Sequence, residues 1–319
     1  MEEDYPKSQR EFESRFTAEA ACIDYLTKLR WPGGFVCPRC GGTDSWLTSR
    51  ALWFCRRCKA QTSVTAGTVF QSTRMPLTLW FRAMWHITSQ KYGANALGLQ
   101  RVLGLNRYET AWQWLHKLRR AMVRPGRDQL YGCVQVDETF IGGKKKPGKR
   151  GRGAEGKTLV AIAVEDKGEA GIGRIRLQTI PDASAESLGC FARAMIVPGS
   201  KIITDDWAGY LVLPSIGYER AIMGSKELAL PHLVASLLKR WLLGTYQGAV
   251  KPTHLEYYLD EFTFRFNRRT SKNRGKLFFR LVQQVLSVEP VFNKDLQAMV
   301  PVGEDKNFDD LDIWDDHNR

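Results

Sequence analysis

Four cysteines and two aspartates have the types and spacing to do chemistry. Cys37-Pro38-Arg39-Cys40 is followed by fourteen residues and then Cys55-Arg56-Arg57-Cys58. A CxxC turn holds a metal from two sides, and two such turns complete a tetrahedral thiolate site that suits zinc. A module this small has little core, so bound Zn2+ would supply much of its folding energy. The two aspartates are Asp137, inside the otherwise apolar run around Val136, and Asp205, after the run Lys201-Ile202-Ile203-Thr204. A carboxylate inside a core strand is costly unless it is paired or metal-bound. Two brought together repel, and one is pushed toward its neutral form. A divalent cation, Mg2+ or Mn2+, removes that penalty and supports metal-assisted displacement. Taken singly, each aspartate reads better as a turn cap.

These groups need elements to hold them. Residues 12–30 carry apolar groups at helical spacing, and 31–34 end that helix. The segment 46–54 reads as a hairpin and 62–70 as a further β segment, giving a zinc ribbon. Residues 77–122 read as all-helical, with 95–103, a Gly104-Leu105 turn and 107–122 forming a helix-turn-helix pattern. From residue 130 the texture becomes α/β. Strands are expected at 131–141, 158–164, 174–180 and 201–204, with helices at 185–196, 233–243 and 252–266. The run 158–164 is apolar throughout, as in a strand buried on both faces.

The chain carries 47 Lys and Arg against 34 Asp and Glu, a formal net charge of +13, which favours polyanionic partners such as nucleic acid. The acidic stretch 303–319 (net −5) is expected to be a tail. In the second helix of the helix-turn-helix, Arg107, Lys117, Arg119 and Arg120 are candidate DNA contacts, the alternative being a solvated face over core tryptophans. Residues 143–157 hold seven bases and one acid. There Lys144, Lys145, Lys146, Lys149, Arg150 and Arg152 can grip phosphates without reading sequence. Arg268 and Arg269, in the basic stretch 265–276, extend the footprint. No apolar leader is read at the start and no run is long enough to span a membrane, so a cytoplasmic protein is expected.

CPRCGG with CRRC, TAGTVFQSTRMPL, VDETFIGGKKK, TDDWAGY, HLVASLLKRWLLGTYQGAV and HLEYYLDEFTFRFNRR occur in this order. Over about residues 10–285 the chain resembles bacterial insertion-sequence transposases of the IS fifteen-ninety-five family. The resemblance implies an N-terminal zinc ribbon and a ribonuclease-H-like, DDE-type domain over 128–290. It implies cleavage at transposon ends and strand transfer into target DNA by a protein that assembles as a homo-oligomer on DNA. Carried over by position, Asp137 and Asp205 are the metal-binding acids and Lys239 is the basic residue on the third motif's helix. The third ligand position is occupied by His232, where Glu or Asn is more usual. An imidazole there suits Mn2+ or Zn2+ better than Mg2+, and Glu227 and Glu256 are alternative third acids. The expected division is 1–30 helical, 31–72 ribbon, 73–127 helix-turn-helix, 128–290 catalytic and 291–319 tail. A zinc-ribbon regulator or inactive transposase, and a ribonuclease-H-like nuclease, are the alternative readings.

Overall fold

Strands β1 (Ser45–Leu47), β2 (Leu52–Cys55) and β3 (Gln61–Ser63) form an antiparallel sheet in the order β1-β2-β3. The computed structural model describes residues 3–124, 126–142, 157–248, 250–292 and 296. The ribbon has a small core of its own, with Phe35, Cys37 and Cys55 buried and Trp31 and Trp53 packed against them.

Helices α1 (Gln9–Arg15), α2 (Glu19–Arg30), α3 (Leu77–Ser89), α4 (Ala96–Leu103) and α5 (Tyr108–Ala121) make the second body. The single helix expected over 12–30 is two, with Phe16 closing the first and Ala18 opening the second. Asn95 caps α4 through its side chain, and Gly104 ends it in the left-handed conformation at φ 63°, where a Cβ would be strained.

α5 is buried along most of its length, with Ala111, Trp114, Leu115, His116, Leu118, Arg119 and Ala121 inaccessible. Trp114 stacks on Trp80 at 3.9 Å between ring centres. That buried face belongs to the core, and the expectation that Arg119 contacts DNA is corrected. Arg119 is 1% exposed and its Nε donates to Glu261 Oε2 at 2.8 Å, so it is a buried ion-pair partner. Lys117 is half-buried, while Arg107 and Arg120 are exposed at the ends of the helix.

The third body is built on β4 (Cys133–Ile141), β5 (Thr158–Asp166), β6 (Ile172–Ile180), β7 (Lys201–Thr204) and β8 (Glu219–Ile222), in the order β6-β5-β4-β7-β8. The first three strands form an antiparallel meander, and β7 and β8 join in parallel. This is a ribonuclease-H-like mixed sheet. Helix α6 (Ala185–Met195) covers one face; α7 (Ala229–Tyr246) and α8 (Leu255–Phe266) cover the other. Val160, Ile162 and Val164 of β5 face α7 and α8, and Leu159, Ala161 and Ala163 face α6. That is the two-sided burial its apolar run implies.

Helix α9 (Arg274–Ser287), expected within the catalytic domain, packs instead with α1–α3 and α5 through Leu277, Phe278, Phe279, Leu281 and Val282. The helical body is thus closed by chain that returns after the sheet domain. The acidic stretch 303–319 lies outside the described residues.

Candidate metal centres and the acidic site

The two cysteine turns share one geometry. Cys37 N donates to Gly42 O and Gly41 N to Cys37 O; Cys55 N donates to Ala60 O and Lys59 N to Cys55 O. The fourth residue after each leading cysteine is left-handed: Gly41 at φ 71° and Lys59 at φ 60°. All four thiol sulfurs lie within 4.8 Å of one another, with Cys37 to Cys58 and Cys40 to Cys55 both 3.6 Å apart. Tetrahedral zinc with bonds near 2.3 Å requires sulfurs about 3.8 Å apart, so the four thiols fit one structural Zn2+. Arg39, Arg56, Arg57 and Lys59 stand exposed around the knuckles.

The acidic site is organised by β4. Gln135, Asp137 and Thr139 alternate onto one face of the strand, and each meets α7. Gln135 Oε1 accepts from Leu230 N at 3.3 Å, satisfying an otherwise orphan donor in the helix's first turn. Asp137 Oδ2 lies 3.1 Å from His232 Nε2. Thr139 Oγ1 accepts from Lys239 Nζ at 2.8 Å. His232 and Lys239 are two helical turns apart and so share a side of α7. Burial and the carboxylates of Glu138 and Asp205 hold the Asp137 carboxyl above its usual range, against the Glu138 backbone N–H and His232. Much of Lys239 is exposed, yet its ammonium is depressed by shelter against the sheet and by Lys157, while Asp137 opposes this.

β4 and β7 run parallel, pairing Gln135 with Ile203. Two residues further along this register stand Asp137, at the middle of β4, and Asp205, just past the end of β7, on strands about 4.8 Å apart. Asp205 Oδ1 accepts from Trp207 N at 3.1 Å, and Trp207 Nε1 donates to Ala183 O at 2.7 Å. Gly209 follows where a Cβ would come within 2.4 Å of Ala183 O, so only glycine lets this turn press on α6. Tyr210, 1% exposed, donates to Glu138 Oε2 at 2.7 Å on the other face of β4. Burial raises its phenol well above the ordinary value, and Glu138, Asp137 and Asp205 add to that. Among the described residues, the cysteines are the only three or more such ligands gathered within 4.8 Å. Asp205 is therefore near Asp137 without closing a three-donor set with the Asp137–His232 pair.

One residue of this site escaped sequence reasoning. Arg220, on β8, donates from Nε to Thr204 Oγ1 at 3.2 Å and from Nη2 to the Asp205 carbonyl at 2.9 Å. Its side chain is 6% exposed. The signal would have been a lone arginine inside a short parallel edge strand, and that strand was not recognised. Of the alternative third acids, Glu256 accepts from Thr179 N on the far edge strand β6 at 2.6 Å, away from Asp137. Glu227 lies exposed in a 3-10 turn before α7. Lys144, Lys145, Lys146, Lys149, Arg150 and Arg152 lie outside the described residues. Arg268 is half-buried over the Phe264 ring, and Arg269 is exposed while donating to Gly173 O and Ile172 O.

The structure thus joins a cysteine-knuckle ribbon to a ribonuclease-H-like mixed sheet. Residues 129–267 match the ISXO2-like transposase domain, and residues 17–61 match the transposase zinc-ribbon domain. The chain thus matches, in order, both domains of the zinc-ribbon insertion-sequence transposases that its motifs resemble. An uncharacterized protein in transposable element ISH50 of Halobacterium salinarum (strain ATCC 700922 / JCM 11081 / NRC-1) is 26% identical over 141 residues. The match takes in 43% of this chain and 45% of that protein, so the chain spans under half the length of this curated relative. The catalytic core domain of BIV integrase aligns with a TM-score of 0.31 and 17% identity, over 46% of this chain and 90% of that one. A chain of the simian T-cell lymphotropic virus intasome, in complex with PP2A regulatory subunit B56 gamma, aligns with a TM-score of 0.28 and 15% identity, over 56% and 65%. Among the described residues no helix is long and apolar enough to cross a membrane.

Proposed function

We propose that this protein is a metal-dependent DNA transposase that cleaves at transposon ends and joins the freed strand to target DNA, acting as a homo-oligomer on the bacterial nucleoid in the cytoplasm. The observation that carries this reading is that Asp137, in β4, and Asp205, just after β7, follow one parallel register, with His232 3.1 Å from Asp137.

Asp137 and Asp205 would hold a divalent cation, with His232 as third ligand or as the group that orients Asp137. The crowding that raises Asp137 is what a bound cation relieves. The donor set, two carboxylates with an imidazole beside them, suits Mn2+ at least as well as Mg2+. When bound, such an ion activates the attacking oxygen and stabilises the leaving one. The chain's own residues do the rest. Gln135 fixes the start of α7, and through it the position of His232. Lys239, held by Thr139, presents a cation on the same face for a phosphodiester oxygen. Glu138 and Tyr210 brace the opposite face of β4. Phosphate contacts are assigned to Arg107, Lys117, Arg120 and Arg269, to the basic residues of 143–157, and to the exposed ribbon arginines.

Incubating the protein with labelled transposon ends, a target plasmid and Mn2+ tests the reading. Joined products support it. Nicks without joining mean a nuclease, and end binding without either means a zinc-ribbon regulator.

A further inference from the structure

At the other end of the sheet, a cavity of about 650 Å3 opens where α8, α9, the end of α5 and the start of β6 meet. Asp137 stands at the middle of β4 and Asp205 just past the end of β7; this cavity is lined by the chain entering β4 and the first residues of β6, so the acidic site does not account for it. Six arginines line it (124, 127, 174, 176, 268 and 280) with one carboxylate, Asp128. Three are matched by acids: Arg124 with Asp128 at 2.6 Å, Arg174 with Glu165 at 2.5 Å, and Arg280 with Glu3.

The other three have no carboxylate at ion-pair distance among the described residues. Arg127 Nη2 meets only Met195 Sδ at 3.4 Å. Arg176, 5% exposed, donates to the carbonyls of Ile175 and Asp128. Arg268 donates to Phe264 O at 3.2 Å and lies over that ring. Burial and neighbouring guanidiniums push Arg176 and Arg268 down to about 10, with Glu165 and Asp128 partly opposing this at Arg176, so both remain charged at neutral pH. Two buried polar side chains of the same lining lack a partner: Thr263 Oγ1 and Gln284 Oε1, on residues 5% and 8% exposed. The Thr263 hydroxyl can donate, and the Gln284 amide can turn to present its NH2.

We propose that this cavity binds a phosphate monoester carried on a nucleotide-sized body, with Arg176, Arg268 and Arg127 taking the phosphate and Thr263 donating to it. Recessed guanidinium forks match phosphate oxygens in pairs. The volume is more than a lone phosphate fills and is in the range of ligand pockets. Phe264, Met122 and Val123 supply apolar wall for the body that carries it. The chemistry is shared by a free nucleoside monophosphate and by the 5′-phosphorylated end of a DNA strand. The inference is independent of the transposase reading.

The test is calorimetric titration of the full chain at fixed ionic strength, without added divalent metal. Probes are deoxyadenosine 5′-monophosphate, deoxyadenosine, and a short single strand with and without a 5′-phosphate. The expected result is that the monophosphate binds and deoxyadenosine does not. Arg268→Gln and Thr263→Val should each weaken it, the arginine change by roughly tenfold or more, with melting temperatures confirming that both variants fold. If the 5′-phosphorylated strand also binds and competes with the nucleotide while its 5′-hydroxyl twin does not, the DNA end is a natural source; if only the nucleotide binds, the free ligand is. No binding of the monophosphate at millimolar concentration, or equal binding by folded Arg268→Gln and Thr263→Val, overturns the proposal. So does a strand that displaces the nucleotide equally well with and without its 5′-phosphate.

Discussion

His232 Nε2 lies 3.1 Å from Asp137 Oδ2, joining the first turn of α7 to the middle of β4. Asp137 carries a carboxyl that burial and two like charges push upward, and the imidazole opposes this through charge. His232→Ala should therefore lower the strand-transfer rate by roughly 10–100-fold, the usual cost of losing a group that ligates or orients a metal ligand. His232→Glu should keep activity with Mg2+. A single-turnover assay on labelled ends reads both, and an unchanged rate in the alanine variant removes His232 from the site.

Arg220 holds the backbone at Asp205 without reaching the reacting atoms, which makes it a positioning residue. Arg220→Ala should raise the Mn2+ concentration needed for half-maximal activity by roughly tenfold, and Arg220→Lys should recover part of it. End binding in a gel-shift assay should stay at the level of the unaltered protein. A loss of rate with an unchanged Mn2+ requirement would mean that Arg220 serves only the fold.

The buried Arg119–Glu261 pair predicts a stability effect where the sequence suggested a DNA effect. Arg119→Ala leaves Glu261 with one fewer partner in the core and should cost about 3–5 kcal/mol in urea unfolding. Arg120→Ala, at an exposed position, should change stability by less than about 0.5 kcal/mol. Equal, small effects from both would contradict the buried ion pair.

Asp260 predicts a pH dependence. Burial raises its carboxyl from 3.8 to about 7, with Glu256 adding and Arg127 and Arg120 opposing. In the folded protein this acid binds its proton more tightly than in the unfolded chain. Stability therefore falls as pH rises from about 4 to about 7, and levels off once both states are ionised. Asp260→Asn should melt higher than the unaltered protein at pH 8. Its advantage should shrink steadily toward pH 4. A difference independent of pH would show that the carboxyl does not titrate in that window.

Local signals in the sequence carried the chemistry well and the packing poorly. The cysteine turns were legible because CxxC spacing is fixed by metal geometry over a few residues. Asp137 was legible because a charge inside a β-branched run has few explanations. The four-residue strand β8 was not: Glu219-Arg220-Ala221-Ile222 is short, polar and held by its parallel neighbour β7. Helix α9 was hidden under the basic stretch 265–276, and nothing local says that its Phe278 packs against Phe12, Phe16 and Phe81, far away in sequence. Arg119 was misread for the same reason. An arginine in a helix is by default solvated, and its partner Glu261 lies in a different domain segment.

The central claim is that Asp137 and Asp205 share a divalent ion, and Mn2+ titration calorimetry on metal-free catalytic sites tests it most directly. Asp137→Asn and Asp205→Asn should each weaken Mn2+ binding at least about tenfold, and the double variant should bind little worse than either single one, because one shared ion couples the two losses. Mn2+ binding that survives both substitutions, or losses that simply add as for two separate ions, would contradict the account.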